Sequence, residues 1–195
     1  MKFDRFTLKR NPKRHGIGLV IDCETTGFSP NLHAAVEVGM VKFVFERSPE
    51  RGFAILGITD EYHGLRDPGS AKLDPVSMRI NGLSLSDLRG KEWEPKRINA
   101  LVRGVELVVA HNASFDRNFL TPLSPQLKAV PWLCSCRGVD WQEHGVEKRS
   151  LKYLAMHFQL TKPDHSAFGD ATSLLALLLH RFADGTTVFA ALMRG

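Results

Sequence analysis

Residues 18–27 read GLVIDCETTG, an apolar run that ends in two acidic residues. Turn-forming residues flank the run, and its length is typical of a strand buried inside a sheet. Asp22 and Glu24 lie where this strand ends, and a spacing of two puts both side chains on one face, about 6.6 Å apart along the strand. Two carboxylates placed in this way can bind one hard cation together. The alternative is that both acidic residues are simply solvated at the end of the strand, since this would give the same spacing.

Around this strand the sequence alternates between apolar runs and amphipathic segments. Further strands are predicted at Val36–Phe45, Phe53–His63 and Leu107–Ala110. Helices are predicted from Pro95, from a capping Ser114 to Leu120, from a capping Ser150, and from about Asp170 to Phe182, with Asp184 and Gly185 ending the last one. This order predicts an α/β domain with a mixed central sheet flanked by helices on both faces.

The composition is that of an ordinary globular protein. Hydrophobic residues make up 43% of the 195 and charged residues 24%, which argues against disorder and against membrane embedding. The three cysteines are odd in number and imply no disulfide framework. We therefore expect a cytoplasmic protein in which residues 1–15 form a basic lead and residues 16–195 form a single domain.

Two further acidic residues, Asp116 and Asp170, lie at the starts of predicted helices. Asp116 follows the predicted strand Leu107–Ala110 and lies in the first turn of a helix, where it can also simply complement the helix dipole. Asp170 shares a helical stripe with Leu174 and Leu177, so its carboxylate should point toward the sheet. An unpaired charge there would be costly, and a cation is the expected partner.

His165 precedes Asp170 by five residues, in a segment bounded by Pro163 and Gly169 that is too irregular for the middle of a helix. A loop histidine is usually just exposed, but a neutral imidazole in a loop can also act as a general base near neutral pH.

Four carboxylates in one place would raise each other's pKa values unless divalent cations compensated the charge. Ligation by oxygen alone favours Mg²⁺ or Mn²⁺ over zinc. Two such ions about 3.5 to 4 Å apart can bind a phosphodiester, which makes phosphoryl hydrolysis the predicted chemistry. The net charge of +5 favours a polyanionic partner such as nucleic acid.

Three segments together resemble the motifs of the DEDDh superfamily of 3′-to-5′ exonucleases. They are IDCETTG at residues 21–27, HNASFD at residues 111–116, and His165 with Asp170 five residues beyond it. The superfamily includes the proofreading subunit of bacterial replicative polymerase and exonuclease X, and the resemblance spans about residues 18–179.

The resemblance implies a ribonuclease H-like fold and two Mg²⁺ ions, with Mn²⁺ as a substitute. It implies that His165 is the base for the attacking water and that the metal ligands are Asp22, Glu24, Asp116 and Asp170. It also implies that nucleoside 5′-monophosphates are released from a 3′ end.

Residues next to these motifs are predicted to meet the terminal nucleotide. Backbone and hydroxyl groups would contact the sugar, while the Phe28 ring would either stack on a base or secure the loop. The predicted substrate-binding set is Thr25, Thr26, Gly27, Phe28, His111 and Asn112.

The sequence departs from the family at two places. Cys23 stands between the two acids and is expected to face away from the metals. Where relatives often have His-Gly, this chain has Asn81-Gly82, so the substrate role of that histidine does not transfer.

The sequence favours single-stranded or frayed DNA as substrate, with a polymerase or repair protein as a potential partner. The alternatives are an exoribonuclease or oligoribonuclease of the same mechanism, and a catalytically silent nucleic-acid-binding module. A pocket for the ribose 2′-hydroxyl cannot be read from sequence.

Overall fold

The computed structural model describes residues 11, 13–49 and 52–195, so most of the basic lead lies outside the described residues. Five strands form one sheet in the order β3-β2-β1-β4-β5. β1 pairs antiparallel with β2 and parallel with β4, and β2–β3 is antiparallel while β4–β5 is parallel. The strands are β1 His15–Thr25, β2 Ala35–Ser48, β3 Gly52–Leu65, β4 Leu107–Ala110 and β5 Trp132–Cys134.

Eight helices are described, together with a 3₁₀ turn at Thr121–Leu123. They are α1 Pro75–Asn81, α2 Leu85–Leu88, α3 Pro95–Val102, α4 Ser114–Leu120, α5 Pro125–Ala129, α6 Leu151–His157, α7 Ala167–Leu179 and α8 Val188–Leu192. Among the described residues, no helix is long and apolar enough to cross a membrane.

Alternating residues of β1 divide the interior into two cores, one on each face of the sheet. Leu19 and Ile21 pack with residues of α3, α4 and α5, while Val20 packs with residues of α6, α7 and α8. The predicted α/β class, the mixed sheet and the helices on both faces are therefore confirmed. Cys23 belongs to the core of Leu19 and Ile21, and it faces away from Asp22 and Glu24 as expected.

Several predicted boundaries were wrong. The helix predicted from Asp170 begins at Ala167, because Ser166 caps it by accepting a hydrogen bond from the Gly169 N–H, and it ends at Leu179 rather than at Phe182. Ser114 is the first residue of α4 and makes no capping hydrogen bond. Ser150 does cap α6, by accepting from the Tyr153 N–H.

α7 approaches β2 closely because Gly39 has no side chain. A Cβ atom built on Gly39 would lie 2.3 Å from the carbonyl oxygen of Ala167 and 2.5 Å from the Cα of Phe168. The first turn of α7, which contains Asp170, can therefore rest directly on the sheet. This contact sets the distance between Asp170 and the end of β1.

Candidate active site

A cavity of about 220 Å³ opens where β1 ends. It is lined by residues from β1, α1, α4 and the start of α7, and all five predicted catalytic residues take part: Asp22, Glu24, Asp116, His165 and Asp170. The parallel strands β1 and β4 both end at this edge, which explains why Asp22 and Asp116 converge here although they are distant in sequence.

Three of the four predicted metal ligands form a tight cluster. Asp22, Glu24 and Asp170 each offer one oxygen, and these three atoms lie within 4.8 Å of one another. Asp116 is buried beside them, and its Oδ1 accepts a hydrogen bond from the Cys23 N–H at 3.0 Å. The acidic residues thus adjoin one another around a gap that suits a divalent cation.

The carboxylates of the cluster repel one another when ionised, so a bound cation would stabilise their charged forms. Burial, followed by repulsion from Asp116, Asp170 and Glu24, raises the pKa of Asp22 well above its ordinary value. Burial is also the largest cause that raises the pKa of Glu24 to about 8 and that of Asp116 to about 7. Among the described residues no Lys or Arg forms an ion pair with these acids.

A fifth carboxylate adds to the negative charge behind the cluster. Glu37 lies opposite Glu24 in the β1–β2 ladder and contributes to the raised pKa of Glu24. Its side chain is buried, and Oε1 lies 2.6 Å from Nε2 of the half-exposed His63. The sequence analysis did not single out Glu37, because strand pairing alone brings it next to Glu24.

The segment before α7 holds both the predicted base and one of the acids. Asp170 Oδ1 accepts hydrogen bonds from the backbone N–H groups of Asp164 and His165, at 3.1 and 3.2 Å. His165 itself has a φ of +62°, is exposed, and lines the cavity. An uncommon backbone conformation of this kind costs energy and is often found at functional sites.

The two threonine hydroxyl groups at the end of β1 form hydrogen bonds with backbone groups of the loop that follows. The Thr25 hydroxyl donates to the Gly27 carbonyl at 2.7 Å, and the Thr26 hydroxyl accepts from the Ala34 N–H at 3.0 Å. Thr26 is fully buried, and a Cβ on Gly27 would collide with the His33 ring. Thr25 lines the cavity, whereas Thr26 and Gly27 shape the loop from behind.

Phe28 differs from its neighbours because its side chain is 65% exposed while it lines the cavity. An aromatic ring left open beside an acidic cluster is suited to stacking on a nucleobase. Of the two interpretations of Phe28, exposure favours the base contact over the role of a buried loop residue.

His111 lines the cavity, but both of its ring nitrogens are engaged. Nε2 donates to the Arg149 carbonyl at 2.8 Å, and Nδ1 lies 2.9 Å from the Ser135 hydroxyl. Burial lowers the pKa of His111 to about 4, so the ring is neutral at physiological pH. Asn112 is exposed and does not line the cavity; its φ is +66°, and its Oδ1 accepts from Arg137 Nη2 at 3.4 Å.

Sequence reasoning missed α1, which forms one wall of the cavity through Ser77 and Ile80. The signal available in the sequence was the capping residue Asp74 followed by Pro75, with Gly82 ending the helix. Asn81, which replaces the family histidine, donates through Nδ2 to the Thr25 carbonyl at 3.2 Å. It therefore ties α1 to the loop that carries Phe28.

This chain is similar to a known protein family and to several known proteins. The RNase_T exonuclease family model matches residues 19–178. The PolC-type DNA polymerase III of Thermotoga petrophila is 30% identical over 137 residues, 68% of this chain and 8% of that protein. Ribonuclease T of Salmonella typhimurium is 29% identical over 114 residues, 52% of this chain and 51% of that protein.

The fold has counterparts among solved structures. E. coli exonuclease I in complex with a dA16 oligonucleotide superimposes with a TM-score of 0.61 at 17% identity, covering 84% of this chain and 40% of that one. Its zinc-bound form in complex with single-stranded DNA gives a TM-score of 0.62. This likeness confirms the ribonuclease H-like architecture.

This chain spans about half of ribonuclease T and less than a tenth of the PolC-type polymerases. The family match nevertheless covers most of the chain and includes every segment that builds the acidic cavity. The chain belongs to the exonuclease family, within the DEDDh superfamily of 3′-to-5′ exonucleases.

Proposed function

We propose that this protein is a two-metal 3′-to-5′ exonuclease that removes nucleoside 5′-monophosphates from single-stranded or frayed DNA. The observation that carries the proposal is the cluster of Asp22, Glu24 and Asp170 oxygens within 4.8 Å, with Asp116 buried beside it and His165 at the rim of the same cavity. The mutual repulsion of these carboxylates fits a divalent-metal site.

The proposed ligands are Asp22, Glu24, Asp116 and Asp170. Bound divalent cations would supply positive charge at the scissile phosphate and help ionise the attacking water. The protein's own groups orient the rest: the Asp164 and His165 N–H groups fix one Asp170 oxygen, and the open Phe28 ring receives the terminal base.

In the proposed reaction, His165 accepts a proton as the water oxygen bonds to phosphorus. The bond between phosphorus and the 3′ oxygen of the preceding nucleotide breaks, and that oxygen takes up a proton. The products are a nucleoside 5′-monophosphate and a strand shorter by one residue. The position of His165 in a loop allows its ring to approach when substrate occupies the cavity.

Two relatives point to different nucleic acids. The similarity to PolC-type DNA polymerase III supports DNA and a polymerase as potential partner, while the similarity to ribonuclease T supports RNA as the second candidate substrate. The mechanism proposed for the site is the same for both.

The deciding experiment is a time course with 5′-labelled DNA and RNA strands of one sequence, with Mg²⁺, with Mn²⁺ and with chelator. We expect a metal-dependent ladder that shortens from the 3′ end, and the faster strand identifies the preferred sugar. Asp170→Asn should abolish the ladder, because it removes one charge from the cluster with little change in shape. Intact strands with both metals would contradict the proposal and favour a silent binding module.

A further inference from the structure

We propose that Arg137 and Arg149 form a phosphate-binding pair that holds the substrate strand upstream of its terminal nucleotide. This inference rests on the proposed function, because it concerns the substrate of the same cavity. It assigns a role to the segment between β5 and α6, which contributes no residue to the acidic cluster.

Both arginines are tied to the His111-Asn112 segment at the rim of the cavity. Arg137 Nη2 donates to the Asn112 side-chain oxygen at 3.4 Å, and the Arg149 carbonyl accepts from His111 Nε2 at 2.8 Å. His111 itself lines the cavity. Two hydrogen bonds thus fix the backbone or side chain of each arginine relative to the site.

Neither positive charge is neutralised by an ion pair in the described part of the chain. Both side chains belong to exposed residues, and in the described part of the chain neither guanidinium has a carboxylate within 4 Å. They are held on one segment, because Arg137 and the Arg149 backbone form hydrogen bonds with the adjacent residues Asn112 and His111. A pair of unneutralised guanidinium groups is well suited to a phosphate.

The position along the sheet edge matches an extended strand. β4 lies between β1 and β5, and neighbouring strands are about 4.8 Å apart, so the end of β5 is roughly 10 Å from the acids of β1. Arg137 follows β5 by three residues. A strand whose 3′ end occupies the cavity would carry its preceding phosphates across His111 toward these arginines.

The test measures binding and chemistry separately in Arg137→Gln, Arg149→Gln and the double variant. Binding of a labelled 20-nucleotide DNA is followed with Ca²⁺ in place of Mg²⁺, at several salt concentrations, with the strand checked on a gel for cleavage. Each substitution should weaken binding roughly tenfold and reduce the slope of log affinity against log salt by about 0.7.

Two controls separate a lost phosphate contact from a general effect. Arg103→Gln removes the same charge before β4, at the opposite end of the sheet, and should leave affinity and slope unchanged. Arg137→Lys keeps the charge and should restore most of the binding. Hydrolysis of the p-nitrophenyl ester of thymidine 5′-monophosphate, which has no upstream phosphate, reports whether the acidic cavity is intact.

The outcomes distinguish this inference from the proposed function. If the wild type cleaves DNA and both glutamine variants bind the strand as the wild type does, the phosphate-binding pair is refuted while the nuclease stands. If the wild type cleaves nothing, the binding measurements alone still decide whether the arginines hold the strand. An unchanged salt slope in the double variant would overturn the inference in either case.

Discussion

Asp170, Glu37 and Asp116 lie near Glu24, and each of these carboxylates opposes the ionisation of Glu24. Burial is the largest cause, and together they raise the pKa of Glu24 from 4.5 to about 8. Without metal, folded Glu24 keeps its proton up to about pH 8, whereas in the unfolded chain it loses the proton near its ordinary pKa. Unfolding therefore releases a proton in this window, so the free energy of unfolding falls as pH rises.

Replacing Glu24 with Gln should prevent this decrease in the free energy of unfolding. In chelator, Glu24→Gln should become increasingly more stable than the wild type between pH 4.5 and 8, by at most a few kcal/mol at the upper end. Urea unfolding at four pH values measures the difference, with Glu61→Gln on the exposed side of β3 as control. Saturating Mg²⁺ should cancel the advantage, and a difference independent of pH would contradict the interpretation.

His165 is predicted to act in the chemical step. Its ring lines the cavity and forms no hydrogen bond with another described residue, so its removal leaves the acidic cluster in place. His165→Ala should lower kcat by roughly 10²- to 10⁴-fold, with Mn²⁺ affinity and melting temperature nearly unchanged. His157→Ala, at the exposed end of α6, is the matched control and should cleave at the wild-type rate.

At the scale of elements, the contact between α7 and β2 decides where Asp170 lies. Gly39→Ala would place a methyl group against backbone atoms of Ala167 and Phe168, which cannot turn aside as a side chain can. We expect α7 to shift, stability to fall by about 1 to 3 kcal/mol, and cleavage to fall at least tenfold in the folded protein.

Gly18→Ala provides the comparison for Gly39→Ala. Its methyl group would meet the ring of Phe43, 2.1 Å away, in the same sheet but away from the start of α7. Both variants should unfold earlier in a thermal melt. Below both melting temperatures only Gly39→Ala should have lost activity, and equal activities would show that the contact does not position Asp170.

At the scale of the whole molecule, α8 closes one of the two cores. Phe189 is fully buried, with its ring centroid 5.6 Å from that of Phe43 and 5.5 Å from that of Phe45. The ring of Phe43 lies against Gly18 of β1, and the ring of Phe45 lies against Gly16. The first strand and the last helix therefore pack against the same two aromatic rings. We propose on this basis that residues 16–195 fold as one domain.

Phe189→Ala should therefore destabilise the entire domain. Loss of a buried phenylalanine typically costs about 3 to 5 kcal/mol, and Phe189→Leu should cost clearly less because it leaves a smaller cavity. Chemical unfolding followed by tryptophan fluorescence and by circular dichroism should give one coincident transition in both variants. Two separate transitions would show that α8 and the sheet do not fold together.

The sequence by itself determined the elements whose signals are local. Leu107–Ala110 is a four-residue strand with the predicted bounds, because a short apolar run leaves little choice of structure. The α/β class and the convergence of Asp22, Glu24, Asp116, His165 and Asp170 on one cavity also followed from spacing and family resemblance. Helices α1, α2, α5 and α8 were missed because each is short and stabilised mainly by its neighbours.

Only the tertiary structure decided what depends on segments distant in sequence. It placed Glu37 behind Glu24 through strand pairing, set α7 against Gly39, and tied α1 to the site loop through Asn81. In the folded protein the Phe28 ring is exposed, whereas the hydroxyl groups of Thr25 and Thr26 form hydrogen bonds with the backbone of the loop. Residue spacing fixes which side chains share a face, but burial, hydrogen-bond partners and mutual repulsion arise only when distant segments pack together.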